Sequence, residues 1–264
     1  MFKKYVWLLS IVFLFSLYVA QSAGKNDVVF YPGEVIEYEV SFMGIKLGNI
    51  TITSNDYVEL NGKKLVNAVA EMKSAKGIPF VDLHGFFESW FAPNATYTEK
   101  FVSKLKESGN SWRYESYDID NTKKVAKYTN YLNKKLENSA ELKFDNKVLD
   151  GCSLFFFARQ FTDLKKTIRI PTLMNQSVSY TNINLHGKKE NTKVDAVKYP
   201  IKCLYFDGRA DWEGIYGLKG YFQGWFSDDE ARVPIKALMN VYVGNVEIQL
   251  VKWKRGDWQP PKGN

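Results

Sequence analysis

The sequence predicts an all-β protein, mainly antiparallel, in which a curved sheet or half-barrel packs one main helix on its concave face. Three observations carry this reading. Apolar and polar residues alternate with period two through much of the chain, the spacing of half-buried strands. Turn residues recur at intervals of roughly ten residues, the rhythm of sandwiches and barrels. One segment, residues 151–164, breaks the alternation with helical spacing. Composition agrees: 16% of residues are aromatic, a class that favours strands and buries large areas. With 45% hydrophobic and 25% charged residues, disorder along the whole chain is excluded.

The chain opens with an address. Lys3 and Lys4 precede an apolar run from Tyr5 to Ala20, followed by Gln21, Ser22, Ala23 and Gly24. A positive start, an apolar middle and a small-residue exit describe a secretory signal peptide, cleaved after Ser22 or Ala23. The run is shorter than the roughly 20 residues of a spanning helix, and no later segment reaches that length, so the mature chain is expected to have no transmembrane segment. The expected organisation is a signal peptide over 1–23, a single β-rich domain over 24–256 and a frayed tail over 257–264. The tail is read from Gly256, Pro260, Pro261 and Gly263.

Within the domain, Ile36, Tyr38, Val40 and Phe42 alternate with Glu37, Glu39 and Ser41 to form the first strand. Gly44 to Gly48 reads as a turn, and Ile50 and Ile52 alternate with Thr51 and Thr53. Asn61-Gly62 is a strong hairpin signal. Weaker strands follow near 86–91, 97–107, 111–118, 123–131 and 138–144. Beyond the middle come 166–170, 177–185, 191–197, 200–206, 218–226, 233–240 and 245–253. Pro32, Pro93, Pro171, Pro200 and Pro234 lie at strand starts or breaks, where a missing N–H is tolerated.

The helix is predicted from Asp150 as N-cap and from Leu154, Phe157, Phe161 and Leu164, which fall on one helical stripe. Phe155 and Phe156 widen that stripe beyond one face, so the helix is largely buried, against a concave sheet or in a barrel mouth. Arg159 is a lone charge in this run. Buried, it needs a carboxylate or carbonyl oxygens. Asp229, in the segment after Trp225, is the candidate partner. If a ligand space exists, it lies between sheet and helix, lined by Phe155, Phe156, Tyr221 and Trp225.

Enzyme signatures are missing. The sequence has no G-x-S-x-G, no phosphate-binding G-x-x-x-x-G-K-[ST], no H-E-x-x-H and no C-x-x-C. With two histidines and two cysteines, neither a metal site nor a cofactor is expected. His84 and His186 read as turn positions near strand ends. Cys152 and Cys203 sit in apolar neighbourhoods and read as two core thiols, with a disulfide as the alternative. Asp228-Asp229-Glu230 reads as a tight turn rather than an acid/base pair. The lysine doublets at 63–64, 123–124, 134–135, 165–166 and 188–189 flank turn residues. They read as solvated turns and blunted strand edges, with a surface for anionic lipid or polysaccharide as the alternative. Nucleic acid is a poor partner for an exported chain.

Three stretches taken together resemble a known family. They are Tyr38-Glu-Val-Ser-Phe-Met-Gly-Ile-Lys-Leu-Gly48, Asp150-Gly-Cys-Ser-Leu-Phe-Phe-Phe-Ala-Arg159, and Gly224-Trp-Phe-Ser-Asp-Asp-Glu-Ala-Arg-Val-Pro-Ile-Lys236 running on to Leu250. In this order they resemble an exported bacterial family classed as a domain of unknown function. Its members show a Y-x-V-x-x-x-G-I-x-x-G start, a D-x-x-S-x-x-Y-x-x-R middle and a W-x-S-D-D-x-x-R-x-P-V end. This chain has Phe156 where the middle carries Tyr, and Ile235 where the end carries Val. The resemblance implies a Gram-negative periplasmic setting and a curved antiparallel sheet similar to the half-barrels of lipoprotein-localisation carriers. It implies no activity and no catalytic residues.

The leading functional expectation is a non-enzymatic periplasmic module that binds an apolar or amphipathic envelope molecule, such as a lipid. The second is a structural or interaction protein of the envelope whose core is simply full. The third is a carboxylate-dependent cell-wall hydrolase. An open apolar cavity favours the first, a solid core the second and two facing acids in a cleft the third.

Overall fold

In the computed structural model the described residues are 29–78, 82–107, 109–214, 219–241 and 244–264; the expected signal peptide lies outside them. The strands are β1 (Val35–Phe42), β2 (Ile45–Leu60), β3 (Lys63–Ser74), β4 (His84–Phe91), β5 (Thr98–Lys106), β6 (Trp112–Asp120), β7 (Val125–Leu132) and β8 (Lys135–Lys143). Helix α1 (Gly151–Gln160) and a single 3-10 turn (Thr162–Leu164) follow. The chain then returns to strands: β9 (Thr167–Met174), β10 (Ser177–Thr192), β11 (Ile201–Ala210), β12 (Gly220–Ser227), β13 (Pro234–Asn240) and β14 (Asn245–Lys254). All join one 14-stranded sheet in the order β8-β7-β6-β5-β4-β3-β2-β1-β14-β13-β12-β11-β10-β9. Every strand pairing is antiparallel; all but β1–β14 join sequence neighbours, for which short connections dictate it.

The sheet curls without closing into a ladder. Its two ends meet through side chains: Leu173 of β9 shares a core with Phe101, Tyr117 and Tyr128 of β5 to β7. The segment before α1 spans the gap, with Leu149 N–H bonded to the Pro171 carbonyl and Leu173 N–H to the Leu149 carbonyl. The other edge, β8, is exposed along almost its whole length. It carries Lys135 and Lys143, and a register shift leaves Glu137 bulged opposite Asn130 and Tyr131. Charge and bulge together blunt an edge against further pairing, as expected of the Lys134-Lys135 doublet.

The inner face is apolar on successive strands, with Ile36, Tyr38, Ile52, Ala68, Phe91 and Leu250 buried around α1. The helix starts where Asp150 predicts. The Asp150 carboxylate accepts from Cys152 N–H and Ser153 N–H, and Ser153 Oγ accepts from Asp150 N–H, a complete capping box. The predicted stripe is only half right. Leu154, Phe157 and Phe161 are half-buried, whereas Leu164 is 42% exposed, because the chain leaves the helix after Gln160. The deepest face is Cys152, Ser153, Phe156 and Arg159.

Other boundaries moved for physical reasons. The β1–β2 turn is Met43-Gly44, not Gly44–Gly48. Gly48 lies inside β2, where a Cβ would sit 2.3 Å from the Lys73 carbonyl oxygen, so that glycine serves close strand approach rather than a turn. The expected strand 191–197 does not form; β10 runs to Thr192 across a bulge between Leu185 and Lys188, and residues 193–200 form a loop. The tail is not frayed. Lys202 N–H bonds the Pro261 carbonyl, Gly263 N–H bonds the Pro200 carbonyl, and Tyr199 Oη donates to the Pro260 carbonyl at 3.0 Å. Trp258 packs edge-on to Trp253 and donates to Asp229 Oδ2 at 2.8 Å. Pro260 and Pro261, read as signs of a frayed tail, instead supply two of the carbonyls through which it docks.

Truncation after Gly256 removes the Trp258 packing and these bonds. The expected loss is about 2 kcal/mol or more, a fall of several degrees in the thermal midpoint on calorimetry. An unchanged midpoint is the outcome expected of a frayed tail.

Candidate functional site

The polar groups of the interior converge on Glu34. Glu34 and Arg159 are both 0% exposed and Arg255 is 7% exposed. Arg159 grips Glu34 with both terminal nitrogens, Nη1 to Oε2 at 2.8 Å and Nη2 to Oε1 at 3.0 Å. Its remaining donors reach the carbonyls of Ala231 and Arg232 at 3.0 and 3.1 Å. Arg255 Nη1 donates to Glu34 Oε1 at 2.7 Å and to the Val29 carbonyl at 3.2 Å. One carboxylate thus ties the entry to β1, the helix, the 231–232 loop and the end of β14.

Asp229 is not the partner of Arg159. It shapes the loop whose carbonyls Arg159 uses: its Oδ1 accepts from Ser227 Oγ at 2.7 Å and from Arg232 N–H at 3.1 Å. Its other oxygen holds Trp258. Asp150 is likewise consumed, accepting from Ser89 Oγ and Thr98 Oγ1 at 2.6 Å each besides capping the helix. Asp150, Arg159 and Asp229 of the D-x-x-S and S-D-D stretches are therefore used to hold the fold. Among the described residues, every buried side-chain nitrogen and oxygen has a partner.

Burial alone would raise the Glu34 pKa. The charges and hydrogen bonds of Arg159, and then those of Arg255, outweigh burial and hold the carboxyl below its usual 4.5. Burial pushes the Cys152 thiol well up and the Cys203 thiol up to about 12. Both cysteines are free, and such thiols are poor nucleophiles.

The four expected cavity residues divide: Phe155, Phe156 and Trp225 border one hydrophobic cluster, and Tyr221 is exposed outside it. Phe156 is 1% exposed, with ring centroids 5.0 Å from Phe91, 5.3 Å from Phe155 and 6.1 Å from Phe30. Strand alternation puts Phe222 and Phe226 of β12 on the face that meets Leu149 and Ala158 near the helix. Tyr221 and Trp225 alternate with them, and Trp225 is half-buried at the margin of the main core cluster. Trp225 Nε1 donates to Glu190 at 2.8 Å and its ring lies 5.5 Å from Tyr205. Tyr221 is 38% exposed beside Gln223 and Tyr205. His186 and Tyr205 both hydrogen-bond Asp207 on the same face.

Two concavities stand out among the described residues, and both are open, polar grooves on the outer face. The larger, about 400 Å³, is lined by Lys193, Asp195, Lys198, Lys236, Glu247 and Gln249, among others. The second lies between Lys165, Lys166, Asn184 and His186. No group of three or more His, Cys, Asp or Glu side chains among the described residues is placed to hold a metal ion.

Sequence reasoning missed Glu34 and Arg255. It required a carboxylate for Arg159, but the chain has 29 acidic residues and nothing in Pro32-Gly-Glu-Val35 marks Glu34 as buried.

A family model described as "Protein of unknown function (DUF3108)" matches residues 37–251. No curated protein matches the chain. Among solved structures, the chain is similar to a β-barrel-like protein of the domain of unknown function DUF1849 from Brucella abortus. The two are 12% identical with a TM-score of 0.54, and the match covers 87% of this chain and 100% of that one. A Bacteroides fragilis protein assigned as exported, with a YmcC-like fold, is 11% identical with a TM-score of 0.37, over 86% of this chain and 99% of that one. The first likeness shows a shared barrel-like fold; the second is too distant to carry an argument.

The Glu34 site gives a signed prediction. A carboxyl with a lowered folded pKa adds stability that is complete above its unfolded value and lost as pH falls through the folded one. Glu34→Gln should therefore flatten the acid limb of the stability profile below about pH 4.5. At neutral pH it should cost about 3–5 kcal/mol, because two guanidiniums stay buried without their counter-charge. In denaturant titrations, Arg159→Met with Glu34→Gln should cost much less than the singles added, and Arg159→Met with Asp229→Asn should be closer to additive.

Proposed function

The chain belongs to the DUF3108 family of proteins of unknown function, and from that premise we propose that it is an exported, non-enzymatic envelope protein with a filled core that acts through its outer surface. The observation that carries this is the state of the concave face. The helix lies in it, Phe156 packs on Phe30 and Phe91, and the Glu34 cluster fastens the helix to the middle of the sheet, where β1 and β14 pair. A carrier that takes a lipid between helix and sheet would have to break those charge-assisted bonds on every loading. The exposure of Tyr221 speaks against part of the lining expected of such a carrier.

Export and a periplasmic setting rest on the signal-peptide pattern of residues 1–23 and on the family resemblance. No helix among the described residues is long and apolar enough to cross a membrane. The curved sheet around one helix supports a likeness in architecture to the lipoprotein-localisation half-barrels, without their open lumen. The hydrolase reading loses its acids, since Asp229 is used by Ser227, Arg232 and Trp258, and Asp228 pairs with Lys189 at 2.8 Å.

The test joins composition to stability. Native mass spectrometry of protein purified from its own periplasm should give the mass of the bare mature chain. Phe156→Ala should cost about 3–5 kcal/mol, the loss expected when a packed aromatic leaves a cavity. A retained apolar ligand, together with a small loss in Phe156→Ala and weaker ligand retention, would establish the carrier instead.

A further inference from the structure

Two-residue hairpin turns occur at Met43-Gly44, Asn61-Gly62, Asn133-Lys134 and Asn175-Gln176, and in each both central residues have positive φ. Turns of this kind favour Asn, Asp or Gly at the first position, because other side chains crowd a left-handed backbone. The turns at 61, 133 and 175 follow the rule with Asn. The β1–β2 turn breaks it, with Met43 at φ 49 followed by Gly44 at φ 78 and then Ile45. Met43 and Ile45 are 75% and 60% exposed, the most exposed of the large hydrophobic side chains described. The tip thus places an apolar residue where both the backbone and the solvent disfavour it. The hairpin does not need this, since Asn makes the same turn elsewhere in the chain. Local rules broken without a gain inside the fold point to a contact outside it.

The tip is convex: a Cβ built at Gly44 would meet nothing within 4 Å. Lys46 is exposed at the base of the tip, and exposed Lys73, opposite Asn49, and Lys76 lie further back at the end of β3, which the Ala75 N–H bond to the Leu47 carbonyl at 2.8 Å holds against β2. Of these lysines, Lys46 pairs with Glu39 at 3.0 Å. The formal charge is +7 for the whole chain and +5 without Lys3 and Lys4 of the expected signal peptide. Projecting apolar side chains with ammonium groups set back along the same strands match the boundary of a bilayer, where methylenes sit below the headgroups and cations meet phosphates.

We propose that the β1–β2 tip inserts Met43 and Ile45 into the surface of an anionic lipid bilayer, with Lys46, Lys73 and Lys76 against the headgroups. This deepens the reading of an envelope protein that acts through its surface, and its test is separate from that reading. A ligand retained in the core would refute the filled interior without touching the tip, and failed vesicle binding would refute the tip alone.

The mature protein is sedimented with phosphatidylcholine vesicles containing phosphatidylglycerol, and with phosphatidylcholine vesicles alone. The expected result is binding to the anionic vesicles that falls at least about tenfold in Met43→Asn. The thermal midpoint of that variant should be unchanged or raised, because Asn suits the turn. Ile45→Thr should move binding in the same direction. No binding by the parent protein overturns the proposal, as does equal binding by the parent and both variants. A photo-crosslinker at position 43 that attaches to a protein rather than to lipid overturns it as well, and would assign the tip to a protein partner.

Discussion

A single buried carboxylate, Glu34, sets the terms for the rest of this structure. Two guanidiniums reach it in a region with almost no access to water. Removing such charges from water is expensive, and their attraction offsets the penalty only when geometry and hydrogen bonding are complete. Here they are complete, because Arg159 finds the carbonyls of Ala231 and Arg232, and Arg255 finds that of Val29. The Ser227–Asp229–Arg232 bonds keep that loop in shape, and Trp258 braces Asp229 from the far end of the chain. The helix, the loop after β12 and the C-terminal tail therefore depend on one another through one ion cluster.

That dependence decides where function can lie. The helix is capped by Asp150 at one end, which is itself anchored to Ser89 and Thr98, and clamped by Arg159 near the other. With both ends fixed, Phe156 is committed to its neighbours. On the proposed reading the concave face is a core, which leaves for recognition the hairpin tips, the polar grooves and the exposed Tyr221. Among these, the β1–β2 tip departs furthest from what folding alone would select.

Much of this was legible from local rules. The Asp150 cap, the Asn61-Gly62 hairpin and the burial of Arg159 each follow from a short stretch whose chemistry has few alternatives. What was hidden depends on contacts far apart in sequence. The partner of Arg159 lies 125 positions away, and no local pattern separates Glu34 from other acids at strand starts. Tyr221 misled because β12 is aromatic on both faces: Phe222 and Phe226 alternate with Tyr221 and Trp225, and period two cannot say which set points inward. Gly48 looked like a turn residue because the sequence does not show how closely β3 approaches. The tail looked loose because its prolines are held through their carbonyls by Tyr199 and by Lys202 of β11, contacts some sixty positions away that no local pattern shows.

The central claim, that the helix is part of the core and not a lid over a ligand space, is tested most directly by native-state hydrogen exchange. Amides of residues 153–160 should open only with the global unfolding of the sheet, at the same free energy as the slowest strand amides and with the same denaturant dependence. Exchange of those helix amides through a lower-energy opening, while the strands stay protected, would show that the helix leaves the sheet on its own. That result would contradict a filled core fastened by Glu34.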